Sequence, residues 1–127
     1  LPRSSVVHTV GPRYNPGYLT AAESALHSCY LNSLRLVKEA GLRSVAIPCL
    51  YEARKQYPRE DAAHIAIRTI RRFLEHFGDN IDRLVLVVDT DADWAVYSKL
   101  LPLYCPRTPE EEAAAALLLP KDTGSYG

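Results

Sequence analysis

Short apolar runs alternate with longer segments of helical periodicity along most of this chain. The runs at residues 6–10, 44–47 and 84–88 are rich in branched apolar residues and are followed by Gly, Pro or Asp, which predicts three strands. The last run is continuous, a pattern typical of a strand that is covered on both faces of a parallel sheet. A segment of helical periodicity follows each run. This order predicts an α/β fold with right-handed crossovers.

The predicted helices have recognisable ends. Thr20 lies three residues before Glu23, the spacing of a capping box, and Gly41 is placed to end the first helix. The second helix is predicted from about residue 59 to residue 77, with apolar side chains along one face. The third is predicted over residues 92–103.

The composition excludes some classes of partner. Lys+Arg and Asp+Glu are equal at 15 each, so no overall positive charge favours nonspecific binding to nucleic acid or to a membrane surface. No run approaches the roughly 18 apolar residues that span a bilayer. Cys29, Cys49 and Cys105 are widely spaced, which favours reduced thiols over a disulfide or zinc site. We therefore expect a cytoplasmic domain without membrane contact from this segment.

Three parallel strands alone would leave long unprotected sheet edges, which natural proteins rarely tolerate. We therefore expect that further strands precede this segment and that the chain is part of a longer protein. The prolines at positions 106, 109 and 120 and the small polar residues at the end indicate a short helix or linker. The predicted organisation is a domain over residues 1–106 and a tail over residues 107–127.

Ligands of open α/β sheets bind beyond the carboxyl ends of the strands. In this chain that position corresponds to three loops, at residues 11–19, 49–58 and 89–93. The middle loop leads into a helix whose free amides favour an anion, and Arg54, Lys55 and Arg59 add positive charge. The alternative is a charged loop that only contacts solvent.

Other polar residues predict less specific chemistry. Asp89, Asp91 and Asp93 have the spacing of a calcium loop, but no Gly follows Asp93 and Leu100 replaces the closing Glu, so helix capping is favoured. The histidines belong to no nucleophile motif, which favours structural roles. No metal site is predicted.

Tyrosines cluster on two of these loops, at positions 14 and 18 and at positions 51 and 57. They could stack on a nucleotide base or, as aromatic residues beside turns often do, close the core. The sequence leaves both interpretations open.

Six segments resemble the carboxyl-terminal half of a macro domain in their order and spacing: VVHTVGPRY, SCYLNSL, SVAIP, YPREDAAHIAIRTIRRFLE, LVLVV and YSKLLPLYCP. The resemblance covers Val6 to Pro106. It implies a three-layer α/β/α fold that is incomplete here, with its N-terminal strands missing. It also implies binding of ADP-ribose or related nucleotides, and in some members hydrolysis of ADP-ribose from proteins. The tail LLLPKDTGSYG resembles macro proteins in which a lipid-binding CRAL-TRIO domain follows.

The second loop departs from the family pattern. Typical members have Ser-Thr-Gly-x-x-Gly before an aromatic residue and Pro, and the glycines let backbone amides close around a diphosphate. This chain has YEARKQ there, so both glycine positions carry a Cβ and Glu52 adds negative charge. Asp89 stands where the family often has an aromatic residue near adenine. The candidate ligand-binding residues are Glu52, Ala53, Arg54, Lys55, Gln56, Tyr57 and Asp89.

The resemblance and the altered loop together predict a noncatalytic macro-type binding module. Its expected partners are an ADP-ribose-like nucleotide, an ADP-ribosylated protein or adenine-rich RNA, and we expect no cofactor. The first half of the domain is absent, so no catalytic residue is transferred from the family and this segment alone is expected to bind nothing tightly. The alternatives are an ADP-ribosyl hydrolase with a rearranged loop and a structural support for an adjacent CRAL-TRIO lipid-binding domain.

Overall fold

The computed structural model describes residues 5–50 and 57–119. A parallel pair of strands in this part of the chain packs against α-helices. The elements are α1 (Leu19–Glu39), β1 (Ser44–Pro48), α2 (Arg59–Phe77), β2 (Arg83–Val87), α3 (Asp91–Tyr104) and α4 (Pro109–Leu118). The predicted α/β class is therefore confirmed.

The two strands pair in register, with Val45 opposite Leu84 and Ile47 opposite Leu86. The side chains of these four residues point to one face of the sheet and pack against apolar side chains of α1 and α2. Residues between them in sequence point to the opposite face, where the side chains remain exposed. Within the described residues the helices therefore cover one face of the sheet.

The core lies between the helices and the covered face. Leu26, Tyr30 and Leu34 of α1 meet Ile70 and Phe73 of α2, and all five are almost completely buried. Full burial of each such side chain stabilises the fold by roughly 1.5–3 kcal/mol. A second cluster joins α2 to α3 through Ala63, Ile67, Tyr97, Leu100 and Tyr104.

Gly41 ends α1 as predicted. Its φ of 71° lies in the left-handed region, which residues with a Cβ rarely adopt. The amide of Gly41 donates to the carbonyl of Lys38, and the amide of Leu42 donates to the carbonyl of Val37. This pair of bonds is a Schellman motif and satisfies carbonyls that the helix end would leave free.

The capping-box prediction at Thr20 is wrong. A short 3₁₀ turn, Pro16–Tyr18, precedes α1, and the Asn15 side chain accepts a hydrogen bond from the amide of Gly17. The turn continues directly into α1 at Leu19. Because Asn15 and Pro16 have already started the helical path, Thr20 lies inside the helix.

The strand predicted at residues 6–10 is not formed. These residues have no ladder partner in the described part of the chain. They lie instead across a groove from β1. A β-branched run adopts a regular strand only when a neighbour supplies backbone hydrogen bonds, and the described ranges contain no strand that pairs with it.

The tail contains a helix up to residue 118. The Thr108 side chain accepts a hydrogen bond from the amide of Glu111 and so caps α4, while Ala115 is buried. Leu117 and Leu118 remain exposed. None of the helices in the described ranges has the length and apolar character needed to cross a membrane.

Candidate crevice at the carboxyl ends of the strands

A crevice opens where the two strands end. Its volume is about 300 Å³, and residues that follow β1, residues that follow β2 and the first turns of α2 and α3 line it. The lining residues are Pro48, Cys49, Arg59, Val87, Asp89, Thr90 and Asp93. The predicted position of the site, beyond the carboxyl ends of the strands, therefore contains a real depression.

An ion pair joins two helices at this crevice. Arg59, the first residue of α2, places its Nε 2.8 Å from Oδ1 of Asp93 on α3. The Asp93 side chain is buried, with 7% of its surface exposed, whereas that of Arg59 is 39% exposed. The Thr90 hydroxyl donates to Oδ2 of Asp93 at 2.8 Å. Asp93 thus has partners on both carboxylate oxygens, as a buried charge requires.

The predictions for the cap of α3 and for the charge at Arg59 both need correction. Thr90, rather than an aspartate, caps α3, because its side chain accepts a hydrogen bond from the amide of Asp93. The predicted positive charge of Arg59 is opposed by Asp93. Acidic residues occupy the first turns of both helices: Glu60 and Asp61 in α2, and Asp91 and Asp93 in α3. These carboxylates interact favourably with the helix dipoles and reduce the attraction of the crevice for an anion.

Cys49 lines the crevice, and its thiol lies near two tyrosines, Tyr30 and Tyr97. Burial raises the pKa of the Cys49 thiol, so the thiol favours its neutral form more than an exposed cysteine does. Burial also raises the pKa of Tyr30 to about 12, and the Tyr30 hydroxyl accepts a hydrogen bond from the amide of Leu50. Burial, with Tyr30 and Cys49 nearby, raises the pKa of Tyr97 as well. The Cys49 thiol is therefore less readily ionised than an exposed cysteine, which disfavours nucleophilic attack by it.

The predicted ligand-binding residues fall in three places. Glu52, Ala53, Arg54, Lys55 and Gln56 lie outside the described residues. Asp89 is exposed on the crevice wall. Tyr57 is buried, and its ring packs edge to face on Tyr14 with 5.0 Å between centroids. Tyr57 and Tyr14 therefore contribute to packing, and ligand contact by Tyr57 and Asp89 stays a prediction.

The predicted loops at residues 49–58 and 89–93 contain Cys49, Thr90 and Asp93, but the sequence did not name these three as ligand-binding residues. Their signal was positional, since Cys49 directly follows β1, and Thr90 and Asp93 lie within six residues of the end of β2. Three histidines make structural hydrogen bonds: His27 to Thr69, His64 to Tyr104, and His76 to the carbonyl of Arg72. In the ranges that the structure describes, no group of His, Cys, Asp and Glu side chains could hold a metal ion.

Comparisons with known proteins agree with this architecture. The macro domain family model matches residues 1–66. A crystal structure of the macro domain of ganglioside-induced differentiation-associated protein 2 (GDAP2) superposes with a TM-score of 0.77 and 52% identity, over 80% of this chain and 50% of that chain. An Oceanobacillus iheyensis macrodomain with MES bound gives a TM-score of 0.68 and 34% identity, over 74% of this chain and 48% of that one.

Relatives from animals match over nearly the whole chain. The GDAP2 homolog of Nematostella vectensis is 50% identical over 98% of this chain and 25% of its own length. GDAP2 of Danio rerio is 52% identical over 94% of this chain and 24% of its own length. The chain thus spans about a quarter of these relatives and about half of a solved macro domain. The predicted incomplete macro fold is confirmed, and the chain belongs to the macro domain family.

Proposed function

We propose that this chain forms the carboxyl-terminal half of a noncatalytic macro-type binding module. Its ligand is an ADP-ribose-like nucleotide, either free or attached to a protein. The observation that carries this proposal is the crevice of about 300 Å³ at the carboxyl ends of β1 and β2, the position at which open α/β sheets bind ligands. In the sequence, residues 51–56 lie between β1 and α2 and include Arg54 and Lys55.

The groups at the crevice support recognition over catalysis. Arg59 contacts one carboxylate oxygen of Asp93 and the Thr90 hydroxyl donates to the other. Both oxygens are therefore already engaged, which disfavours Asp93 as a general acid or base. The raised pKa of Cys49 opposes formation of a thiolate. Asp89 is exposed and can accept hydrogen bonds from a ribose hydroxyl or an amine.

Titration calorimetry with ADP-ribose and with oligoadenylate tests the proposal. The chain is measured alone and after mixing with the half of the GDAP2 macro domain that it lacks. We expect binding of ADP-ribose only in the mixture, because the chain supplies half of the domain. Arg54→Ala with Lys55→Ala should weaken this binding, whereas Arg83→Ala, on β2 outside the crevice lining, should not.

The outcomes separate the alternative functions. Preference for oligoadenylate over ADP-ribose would assign the module to adenine-rich RNA. Release of ADP-ribose from a modified protein would overturn the noncatalytic assignment in favour of a hydrolase. Failure of both ligands to bind a folded mixture would leave support of a neighbouring domain as the better explanation.

The context of the module is also a proposal. We place it in the cytoplasm, which is supported by the free thiols of Cys29, Cys49 and Cys105. We also propose that a CRAL-TRIO lipid-binding domain adjoins it in the whole protein. Fractionation of cells and lipid-binding assays on the whole protein test these two statements.

A further inference from the structure

Thr108 stands in a sequence context that protein kinases recognise. It is followed by Pro109, and no other Ser or Thr in the whole sequence precedes a proline. Pro106 lies two residues before it. Proline-directed kinases require a proline directly after the hydroxyl that they modify, and the mitogen-activated class also prefers one two residues before it. The crevice and the proposed nucleotide binding make no use of this segment.

The structure leaves Thr108 accessible to an enzyme. Thr108 is exposed, and its backbone is extended, with a φ of −136° and a ψ of 158°. Kinases hold their substrates in an extended conformation of this kind. The residues that follow form α4, in which Ala115 is the buried residue. A helix with so little buried surface can open locally and let a kinase engage the proline at its start.

The Thr108 hydroxyl is also part of the cap of α4. Its oxygen accepts a hydrogen bond from the amide of Glu111 at 3.1 Å. The Glu111 carboxylate in turn accepts from the Arg107 amide at 2.7 Å and from the Arg107 guanidinium at 3.4 Å. The Arg107 amide, more than the guanidinium, holds the pKa of Glu111 below its usual value. Glu111 is therefore charged at neutral pH and is held close to the Thr108 hydroxyl.

We propose that Thr108 is a phosphorylation site for a proline-directed protein kinase and that its phosphorylation loosens α4. In the reaction the Thr108 Oγ attacks the γ-phosphorus of ATP, and an Oγ–P bond forms as the bond between that phosphorus and the β,γ-bridging oxygen breaks. ADP leaves, and the hydroxyl proton passes to the catalytic aspartate of the kinase. The product carries about −1.5 to −2 charges at pH 7 in place of a neutral hydroxyl.

The charges around Thr108 decide the effect on α4. The helix dipole contributes roughly half a positive charge at this end, and Arg107 contributes one more. Three carboxylates already occupy the first turn, at Glu110, Glu111 and Glu112. A phosphate at Thr108 would be repelled by all three and would compete with Glu111 for Arg107. The repulsion exceeds the remaining attraction, so the helix opens more readily.

Incubation of the chain with an active mitogen-activated protein kinase and radiolabelled ATP tests the site. We expect labelling at Thr108, located by mass spectrometry. Thr108→Ser keeps the hydroxyl and should be labelled, whereas Thr108→Val should not, and Pro109→Ala should slow labelling about tenfold or more. A synthetic peptide of residues 103–114 confirms that the kinase is active. Failure to label the chain, or labelling of Thr108→Val at the rate of the wild type, would overturn the site.

Hydrogen exchange of the α4 amides before and after phosphorylation tests the consequence. We expect exchange to become faster by about threefold or more, and the difference to shrink at high salt, which screens the charges. Amides in the middle of α2 are internal controls. Glu110→Gln with Glu112→Gln removes two of the repelling charges and keeps the Glu111–Arg107 pair, so the same phosphate should loosen α4 less. Unchanged or slower exchange in the phosphorylated wild type would overturn the loosening, as would an equal acceleration in the double variant.

Discussion

Individual side chains set the charge of the crevice. Arg59 and Asp93 lie 34 positions apart in sequence, yet their side chains meet where α2 and α3 begin. The positive charge that a phosphate would encounter is therefore already opposed by a buried carboxylate. Thr90 connects this pair to the start of α3 through two hydrogen bonds.

Asp93→Asn should strengthen binding of ADP-ribose to the completed module by about threefold or more, because it removes a negative charge beside Arg59 and keeps the side-chain shape. Titration calorimetry at low and high salt measures the change, which should shrink as salt screens the charges. Asp91→Asn, which alters an exposed acid in the same turn, is the matched control. An equal gain from both variants would contradict a specific effect of the ion pair.

Thr90→Ala should lower the free energy of unfolding by about 1 kcal/mol, because it removes the cap of α3 and a donor to Asp93. Urea denaturation followed by circular dichroism gives the value. Thr90→Ser retains the hydroxyl and should be close to the wild type. Equal loss of stability in both variants would show that the Thr90 methyl group, rather than the hydroxyl, stabilises this turn.

His27 should make the fold sensitive to acid. Burial lowers its pKa below the usual 6.5, and the guanidinium groups of Arg68, Arg72 and Arg35 lower the pKa further. The Thr69 hydroxyl donates to the carbonyl of Ile65, so Nδ1 of the neutral His27 donates to Thr69. Protonation of His27 would therefore place a positive charge on a buried ring that the fold favours in its neutral form.

The unfolded chain binds this proton near pH 6.5 and the folded chain only at lower pH. Stability should therefore fall as the pH drops below about 6.5, and stop falling from this cause below the folded pKa. His27→Gln should reduce the slope in denaturation experiments across this range. Burial also lowers the pKa of His64. The variant His64→Gln therefore measures how much His64 contributes to the same pH dependence of stability. If the stability of His27→Gln depended on pH as steeply as that of the wild type, the acid sensitivity could not be assigned to His27.

At the scale of elements, helix ends decide where the chain turns towards the sheet. The Schellman motif at Gly41 directs the chain from α1 into β1, so that Val45 and Ile47 reach the covered face. The 3₁₀ turn at Gly78–Asn80 performs the same task between α2 and β2. Both connections are short, and each is fixed by local hydrogen bonds.

Gly41→Ala should destabilise the fold by roughly 1–2 kcal/mol, because alanine would have to keep a φ of 71°. Gly78→Ala is the matched control, since Gly78 has a φ of −58° and a Cβ there would meet no atom within 4 Å. It should be neutral or slightly stabilising. Thermal denaturation compares the two proteins, and a similar loss in both would argue against strain as the cause.

At the scale of the whole molecule, burial is uneven. Leu26, Leu34 and Ala63 of α1 and α2 have almost no exposed surface, whereas Ala115 is the buried residue of α4. Fewer buried apolar contacts mean a lower free energy of local opening. The molecule therefore combines a well-packed helical layer with a weakly held last helix.

Amides of α4 should exchange with solvent through local opening, and those in the middle of α1 and α2 only through global unfolding. Hydrogen exchange at increasing, subdenaturing urea concentrations distinguishes the two, because only global opening responds strongly to urea. A common opening free energy for α4 and α2 would contradict this expectation.

The sequence predicted those features whose signals are local. The second helix was predicted over residues 59–77, the bounds of α2, because its apolar face repeats at helical spacing and Pro58 and Gly78 flank it. The end of α1 at Gly41 followed from the same kind of evidence. The prediction at residues 6–10 was wrong because a strand depends on a partner that is remote in sequence or absent.

The sequence by itself determined the α/β order, the main helices, the family resemblance and the edge of the sheet at which a crevice lies. Each of these depends on residue type and on spacing along the chain. The tertiary structure decided that Arg59 is paired with Asp93, that Tyr57 packs on Tyr14, and that Val45 lies opposite Leu84 in the parallel sheet. These features depend on how helices and strands cross in space. Residues far apart in the sequence meet there because the core packs α1 and α2 against the sheet.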